Sequence, residues 1–527
     1  MDHISTYDST LRDGEQSEGI TLSLEDKLRI VERLDAFGID VIEGGFPASN
    51  PKDIAFFERM RFMPLTHARL AAFGSTCKKG IAAEEDQGLA DLVACGAPLV
   101  TIVGKTWDAQ VTRALQATLD ENLRMIRDSV AYLKSHGLEV VFDAEHFFDG
   151  YVANPAYALD CVRAASEAGA DSIDLCETNG GALPHQVEAV VTAVVEALPG
   201  QQIGIHCHND SGCAVANTLA AVHAGACQVQ GTINGIGERV GNADLLTVIA
   251  DLELKMGYTC VGEERLRQLT DVSRFVAETC NMALPAHHPY TGAAAFAHKG
   301  GLHASAIARF PEAYEHTRPA RVGNTARMLV SELAGKASLV AKAASLGIDL
   351  SAHPNKVQVV LDDVKAREAQ GYSYEVADGS LAVLLQGHVG SYRPHFTLES
   401  FRVIVDDHED TGARAKDAMS EATIKIHVGS ERFVATGEGA GPVGALDSAL
   451  RMALARFYPE VADIELVDYK VRILDENVGT DAITRVVITT RDRHGSWGTI
   501  GVSENIIEAS WNALVDSIEY GLIRMGK

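Results

Sequence analysis

The feature that constrains this chain most is a unit that recurs between residues 23 and 235. A helical pattern runs into glycine, a short apolar run follows, and a polar residue stands at its end. The unit is legible in D-A-F-G-I-D-V-I-E (35–43), K-S-H-G-L-E-V-V-F-D-A-E (134–145), S-E-A-G-A-D-S-I-D-L-C-E-T (166–178) and V-H-A-G-A-C-Q-V-Q-G-T-I-N (222–234). Glycine closes a helix by taking the left-handed conformation. A short apolar run bounded in this way is a strand buried on both faces. Leu24, Leu28, Val31 and Leu34 make one apolar helix face, with Ser23 and Asp26 as a capping pair, and Ala156, Leu159, Val162 and Ala165 repeat the pattern.

Strands are predicted at 4–7, 41–43, 70–73, 100–103, 140–142, 172–175, 203–205 and 229–233. Eight strands alternating with helices over about 250 residues imply a (β/α)8 TIM barrel, here 1–262. An open doubly wound sheet is the rival, but no G-x-G-x-x-G follows the first strand and eight equal units suit closure. Residues 263–385 read as helical subdomains, with helices near 333–346 and 357–369. Residues 386–527 contain a duplication: L-E-S-F-R-V-I-V (398–405) resembles L-V-D-Y-K-V-R-I (466–473). Each copy continues with two strands (422–428 and 433–438; 484–490 and 497–503) and a helix (443–457; 506–524). These βββα units form a small α+β domain poor in catalytic side chains. Each has one open sheet face to bury against its copy or another subunit. The fold class is therefore α/β: barrel, helical subdomains and a duplicated βββα domain.

Charge narrows the partners. Lys+Arg 46 against Asp+Glu 72 gives a net −26, which disfavours nucleic acid or an anionic membrane as a general partner. No apolar stretch reaches the roughly 18 residues of a membrane span, and the N-terminus lacks a secretory pattern. The nine cysteines are odd in number and show no C-x-x-C, so reduced thiols in the cytoplasm are expected rather than disulfides or structural zinc.

A barrel of this kind places its active site at the C-terminal ends of the strands, and there the polar residues gather. D-S-T-L-R-D-G-E-Q (8–16) follows strand 1, Glu43 and G-G-F-P strand 2, Asp143 and Glu145 strand 5, and Glu177 and Thr178 strand 6. H-C-H-N-D (206–210) follows strand 7, and N-G-I-G-E-R-V-G-N-A (234–243) strand 8. His206 and His208, two apart on a strand, face the same side and can meet one ion. Asp13 can complete a mixed N/O site, and Asn242 can add an amide oxygen. Arg12, beside that ligand, is a candidate substrate contact. Asp143 and Glu145 share one side of a strand end, and such a pair raises one pKa and can supply an acid or base. Cys207 points the other way into the core, and His223 lies in a helical pattern. The glycines of 44–45, 180–181 and 235–241 allow close backbone approach to a ligand. F-A-H-K-G-G-L-H-A-S-A (296–306) places His298 and His303 outside the barrel.

Taken together, D-S-T-L-R-D-G-E-Q, H-C-H-N-D and G-I-G-E-R-V-G-N-A resemble the acyl-CoA-condensing metal enzymes of the isopropylmalate synthase group, over nearly the whole chain. F-D-A-E-H-F-F-D-G-Y (142–151), L-C-E-T-N-G-G (175–181) and L-V-S-E-L-A-G-K-A-S (329–338) are most similar to its longer-chain, citramalate-forming branch. Glu177 departs from that branch, which more usually has Asp, and adds a methylene near the expected pocket. The resemblance implies a Claisen-type condensation of acetyl-CoA with pyruvate, then thioester hydrolysis, giving (R)-citramalate and CoA. It implies a divalent metal ion on Asp13, His206, His208 and Asn242. Arg12 would stabilise the enolate or keto oxygen, and Glu145 would be a catalytic carboxylate. His303 and Tyr314 would assist proton transfer or hydrolysis, and Thr178, with Arg12 and Asp143, would contact the keto acid. The C-terminal duplication resembles a dimerising regulatory domain that binds an end-product amino acid, for this branch isoleucine, in a homodimer.

Alternatives differ by few side chains. The same reaction on 2-oxoisovalerate would give isopropylmalate, and another keto acid homocitrate, since about 1–3 kcal/mol separates pockets that differ by a methylene. An aldol-type lyase is opposed by the long duplicated domain. A non-catalytic amino-acid-binding regulator is opposed by Arg12, Asp13, Glu145, His206 and His208 standing together. The donor set suits Mg, Mn, Zn or Co.

Overall fold

The computed structural model describes residues 2–47, 50–298, 306, 310–328, 335–390, 392–405, 420–474 and 482–527. It divides into two compact units, Met1–Phe296 with His316–Thr325, and Ala297–Glu315 with Ala326–Lys527.

The first unit is a closed parallel barrel of β1 (Ser5–Asp8), β2 (Val41–Glu43), β3 (Arg69–Ser75), β4 (Leu99–Lys105), β5 (Glu139–Glu145), β6 (Ser172–Glu177), β7 (Gln202–Cys207) and β8 (Gln228–Gly231). Closure is direct: β1 pairs with β8 from Ser5↔Gln228 to Asp8↔Gly231. The recurring unit forms as its chemistry dictates. Helix α1 (Leu24–Phe37) starts in a capping box of Ser23 and Asp26 and ends at Gly38, φ 96°. Its buried Leu28, Val31 and Leu34 join the layer between strands and helices.

Seven of the eight strands end away from the expected residue, and two of those ends bear on the site. The eighth strand stops at Gly231, because the chain turns at Ile233–Gly235 and Thr232 bridges to Asp244. The fifth runs on through Glu145, so Asp143 and Glu145 lie on the strand rather than after it. The inner face is also not the uniformly apolar lining that the runs suggest. Its floor is apolar (Tyr7, Val41, Ala71, Leu99 and Val141). Above it lies a layer of buried polar groups, including Glu43, Thr101, Asp143, Asp174 and Gln230.

In the second unit helices Lys336–Ser345, Pro354–Ala369 and Asp378–Val389 precede two three-stranded antiparallel sheets. The duplication is exact to the bulge. Strand Thr397–Val405 shifts register between Leu398 and Ser400, and Glu465–Ile473 shifts between Leu466 and Asp468. Each copy closes with a helix, Pro442–Leu454 or Ile506–Arg524. The sheets share a core through these helices. The second sheet's other face is covered by helices of this same chain: Ile500, with Val487 and Val502, joins Leu361, Val364, Leu381 and Leu385. That cover comes from neither the copy nor another subunit. Among the described residues no helix is long and apolar enough to cross a membrane.

Equivalent glycines let each helix lie on its sheet. A Cβ on Gly437 would sit 2.3 Å from the Ala449 nitrogen, and one on Gly501 would sit 1.9 Å from the Ala509 carbonyl oxygen. Gly501→Ala is therefore expected to destabilise this unit by about 1–3 kcal/mol or more, since overpacking against backbone has no rotamer to relax into. Thermal unfolding of the purified protein measures it, and an unchanged midpoint would contradict this account of the packing.

Candidate active site

At the C-terminal end of the barrel a cavity of about 240 Å³ is lined by Arg12, Asp13, Asp143, Glu145, His206 and His208, among others. Asp13 Oδ2 lies 3.3 Å from His206 Nε2, which lies 3.4 Å from His208 Nε2. All three residues are buried, and their ligand atoms lie within 4.8 Å of one another. Lone pairs so arranged repel unless a proton or cation lies between them. Burial, with His206 beside it, pushes the His208 imidazole down to about 3, so it stays a neutral donor. For Asp13, burial opposes ionisation, but Arg12 and the two imidazoles outweigh it and hold the carboxyl well below its usual range. Among the described residues Asn242 Oδ1 is buried without a hydrogen-bond partner, while its Nδ2 donates to the Ile236 carbonyl at 3.3 Å. Asn242 is brought against His208 by a backbone bridge. Gly241 makes that loop possible: its φ is 93°, and a Cβ there would stand 1.9 Å from the Gly235 oxygen. Burial works against a charge on His206, but the Asp13 carboxylate beside it raises that imidazole above its usual range, so a cation would take the place of its Nε2 proton. A carboxylate, two imidazoles and an orphaned amide oxygen fit a divalent cation.

The tautomer of His206 is set from the neighbouring strand, where Gln230 is its register partner. Gln230 Nε2 donates to Asp143 Oδ1 (3.0 Å) and Asp174 Oδ2 (2.7 Å). Its Oε1 must then accept from His206 Nδ1, 2.9 Å away, which leaves Nε2 facing the ligand cluster. Neither Gln230 nor Asp174 stands out in the sequence. The available signal was polar residues alternating along otherwise apolar strands, Gln228 and Gln230 on β8 and Ser172 and Asp174 on β6.

The expected Asp143–Glu145 pair is replaced by two other pairs. Register sets Asp143 beside Asp174, and burial together with that neighbour raises Asp143. Glu145 stands one inward position nearer the mouth, opposite Lys105, with which it forms an ion pair. A single lysine at a strand end carries no sequence pattern, so the sequence does not single out Lys105. Arg12 pairs with Glu43 and lies 3.9 Å from the centroid of Phe73. Glu43 also accepts from Tyr7 Oη at 2.6 Å. Thr178 lines the cavity, and its hydroxyl oxygen accepts from the His146 N–H at 2.9 Å. Arg239, which the segment 234–243 contains but which its pattern does not single out, ties Asp210 (2.9 Å) to the Thr178 carbonyl (2.7 Å). Glu177 does not line this cavity. It is buried, accepts from the Gly181 N–H at 3.1 Å, and lines a separate groove with Trp107 and Phe148. Tyr314 is exposed after the turn Pro311–Ala313, and His303 lies outside the described residues. Cys207 is buried, as its strand position required, and His223 is exposed on its helix.

A barrel whose strand ends gather this carboxylate–imidazole cluster is that of an HMGL-like enzyme, and the HMGL-like family model matches residues 3–276. The homocitrate synthase post-HMGL domain-like model matches 290–371, and the LeuA allosteric (dimerisation) domain 375–522. The (R)-citramalate synthase of Streptomyces coelicolor is 52% identical over 100% of this chain and 98% of its own. Those of Aquifex aeolicus and Geobacter sulfurreducens are 49% and 48% identical, over 98% and 99% of this chain and 97% and 98% of theirs. The chain belongs to the (R)-citramalate synthase family.

Gln230→Leu removes the acceptor that fixes His206. It is expected to weaken Mn(II) binding to the EDTA-stripped enzyme about ten- to a hundredfold, whereas His208→Ala should abolish it. Calorimetry reads both, and unaltered affinity in Gln230→Leu would remove the glutamine from this role.

Proposed function

We propose that this protein condenses acetyl-CoA with pyruvate and hydrolyses the thioester, releasing (R)-citramalate and CoA. The observation that carries the reading is full-length identity of 48–52% to three (R)-citramalate synthases, together with the Asp13–His206–His208 cluster beside Arg12. Asp13, His206, His208 and Asn242 would hold a divalent cation, Mn, Mg, Zn or Co, which when bound polarises the keto group as a Lewis acid. The cavity's apolar wall of Phe46, Phe73 and Val103 suits an acceptor with a methyl group.

Arg12 faces the developing negative oxygen, and Glu43 holds its guanidinium in place. Glu145 accepts a proton from the acetyl methyl, and the ion pair with Lys105 holds its carboxylate in place. The methyl carbon then bonds to the keto carbon of pyruvate, whose oxygen takes a proton. Water cleaves the thioester, and CoA leaves. Thr178 and Asp143 contact the keto acid, and His303 and Tyr314 assist proton transfer or hydrolysis by likeness to the group.

The chain is organised as catalytic barrel 1–262, helical subdomains 263–385 and regulatory domain 386–527. The last dimerises the enzyme and binds isoleucine. The match to the LeuA allosteric (dimerisation) domain supports this, as do the apolar Ile404, Val405 and Val434 exposed on the first sheet. The thiols, all free, suit the cytoplasm.

CoA release from acetyl-CoA tests the function. Pyruvate is expected to give a higher kcat/KM than 2-oxoisovalerate, and isoleucine to reduce turnover. Preference for 2-oxoisovalerate would transfer the protein to isopropylmalate synthesis, and indifference to isoleucine would refute that effector. Glu145→Gln keeps the shape but removes the base. It is expected to lower kcat at least a hundredfold, in line with the roughly 10²–10⁴-fold contribution of a general base, with Mn(II) binding intact. Near-normal turnover would exclude Glu145 from the mechanism.

A further inference from the structure

A buried cation stands behind the site and takes no part in the chemistry above. Lys27, on α1, has a side chain only 1% exposed. Its Nζ lies 2.9 Å from Glu15 Oε2, 2.8 Å from Asp53 Oδ1 and 3.4 Å from the Gly44 carbonyl oxygen. Glu15 belongs to the loop after β1, and Asp53 to the first turn of the helix Pro51–Met60, which follows the loop after β2. Glu15 sits in the turn Gly14–Gln16, which starts directly after Asp13. It also pairs with Lys52 and accepts from the Leu22 N–H at 3.3 Å. Asp53 accepts from the Phe46 N–H at 3.3 Å and from Asn50 Nδ2 at 3.1 Å, and so closes the loop that follows Glu43. Phe46 in turn stacks edge-on against Phe73, centroids 5.0 Å apart, the ring that carries Arg12.

We infer that Lys27 is a positioning residue for the metal ligand Asp13 and for Arg12, acting through Glu15 on one loop and through Asp53 and the Gly44 carbonyl on the other. The inference rests on the proposed roles of Asp13 and Arg12. The physical reason is asymmetric. A buried ammonium is retained only with well-placed anions, and removing it leaves two carboxylates without their shared partner. The loops would then part, and Asp13 would leave the position where its Oδ2 stands 3.3 Å from His206. A lysine whose effect ended at the fold would change stability alone.

The test uses the full-length, EDTA-stripped enzyme and Mn(II) as the probe, with binding read by calorimetry and turnover by CoA release. Lys27→Met is expected to raise the Mn(II) Kd about tenfold or more and to lower kcat for the Mn(II)-saturated enzyme. Glu15→Gln, which keeps the volume and is milder, should move both in the same direction, and it decides the matter if Lys27→Met does not fold. Asp35→Asn is the stability control. Asp35 is on the same helix, but its carboxylate caps the loop at 66–68, accepting from the Thr66, His67 and Ala68 N–H groups at 2.7–2.8 Å. It should lower the unfolding midpoint without altering Mn(II) affinity. If Glu15→Gln and any folded Lys27→Met keep Kd and kcat within twofold of the parent while only the midpoint falls, Lys27 is structural and the inference is overturned. If the parent enzyme itself fails to bind Mn(II), the metal reading fails instead.

Discussion

Burying a carboxylate is unfavourable unless a cation, a proton or an N–H donor compensates it, and the barrel interior is arranged around that demand. Glu43, Asp143 and Asp174 are all buried on the inner face. Glu43 is compensated by Arg12 and the Tyr7 hydroxyl, and Asp174 by Ser172, Gln228 and Gln230. Asp143 shares Gln230 with Asp174 and is pushed toward its protonated form. Each compensation also aims a group at the cavity. Arg12 is held by Glu43, and His206 by the glutamine that serves the two aspartates.

This makes the metal site a consequence of the layer beneath it. The two histidines and Asp13 converge because β7 and the turn after β1 both end at the same mouth, and His206 Nε2 faces inward because Gln230 occupies its Nδ1. An inner layer of satisfied hydrogen bonds has few alternative arrangements, and this rigidity is what a preorganised electrostatic site requires. The loop that bears Arg12 and Asp13 is tied from outside the barrel to the segment after β2 by Lys27 and its two carboxylates.

The second unit follows a different logic. Its two copies repeat their bulges and their helix-contacting glycines, yet they are used unequally. The middle and last strands of the second sheet are covered by helices of the same chain, although its outer strand still exposes Val471 and Ile473, as that of the first exposes Ile404 and Val405. A duplicated module thus acquires two unlike surfaces from the segments that precede it, an asymmetry invisible in the repeat itself.

Much of this was legible in the residues because it depends on neighbours in sequence. The glycine that ends α1, the Ser23–Asp26 cap, the alternation that aligns His206 with His208 and the repeated βββα pattern all act within a few positions. The motif segments likewise placed Arg12, Asp13, Glu145 and Thr178 at one end of the barrel. What lay beyond reach was set by closure and register. Asp143 meets Asp174 rather than Glu145 because β5 and β6 pair at that level, and Glu145 meets Lys105 because β4 and β5 do. Gln230 reaches both aspartates and His206 only after β8 returns to close the ring, and Lys27 becomes buried only when α1 packs over two loops from separate strands. A sequence specifies the direction of each side chain along its own strand or helix. Which groups then face one another is decided by the tertiary structure, because it depends on how distant strands register and where the chain folds back.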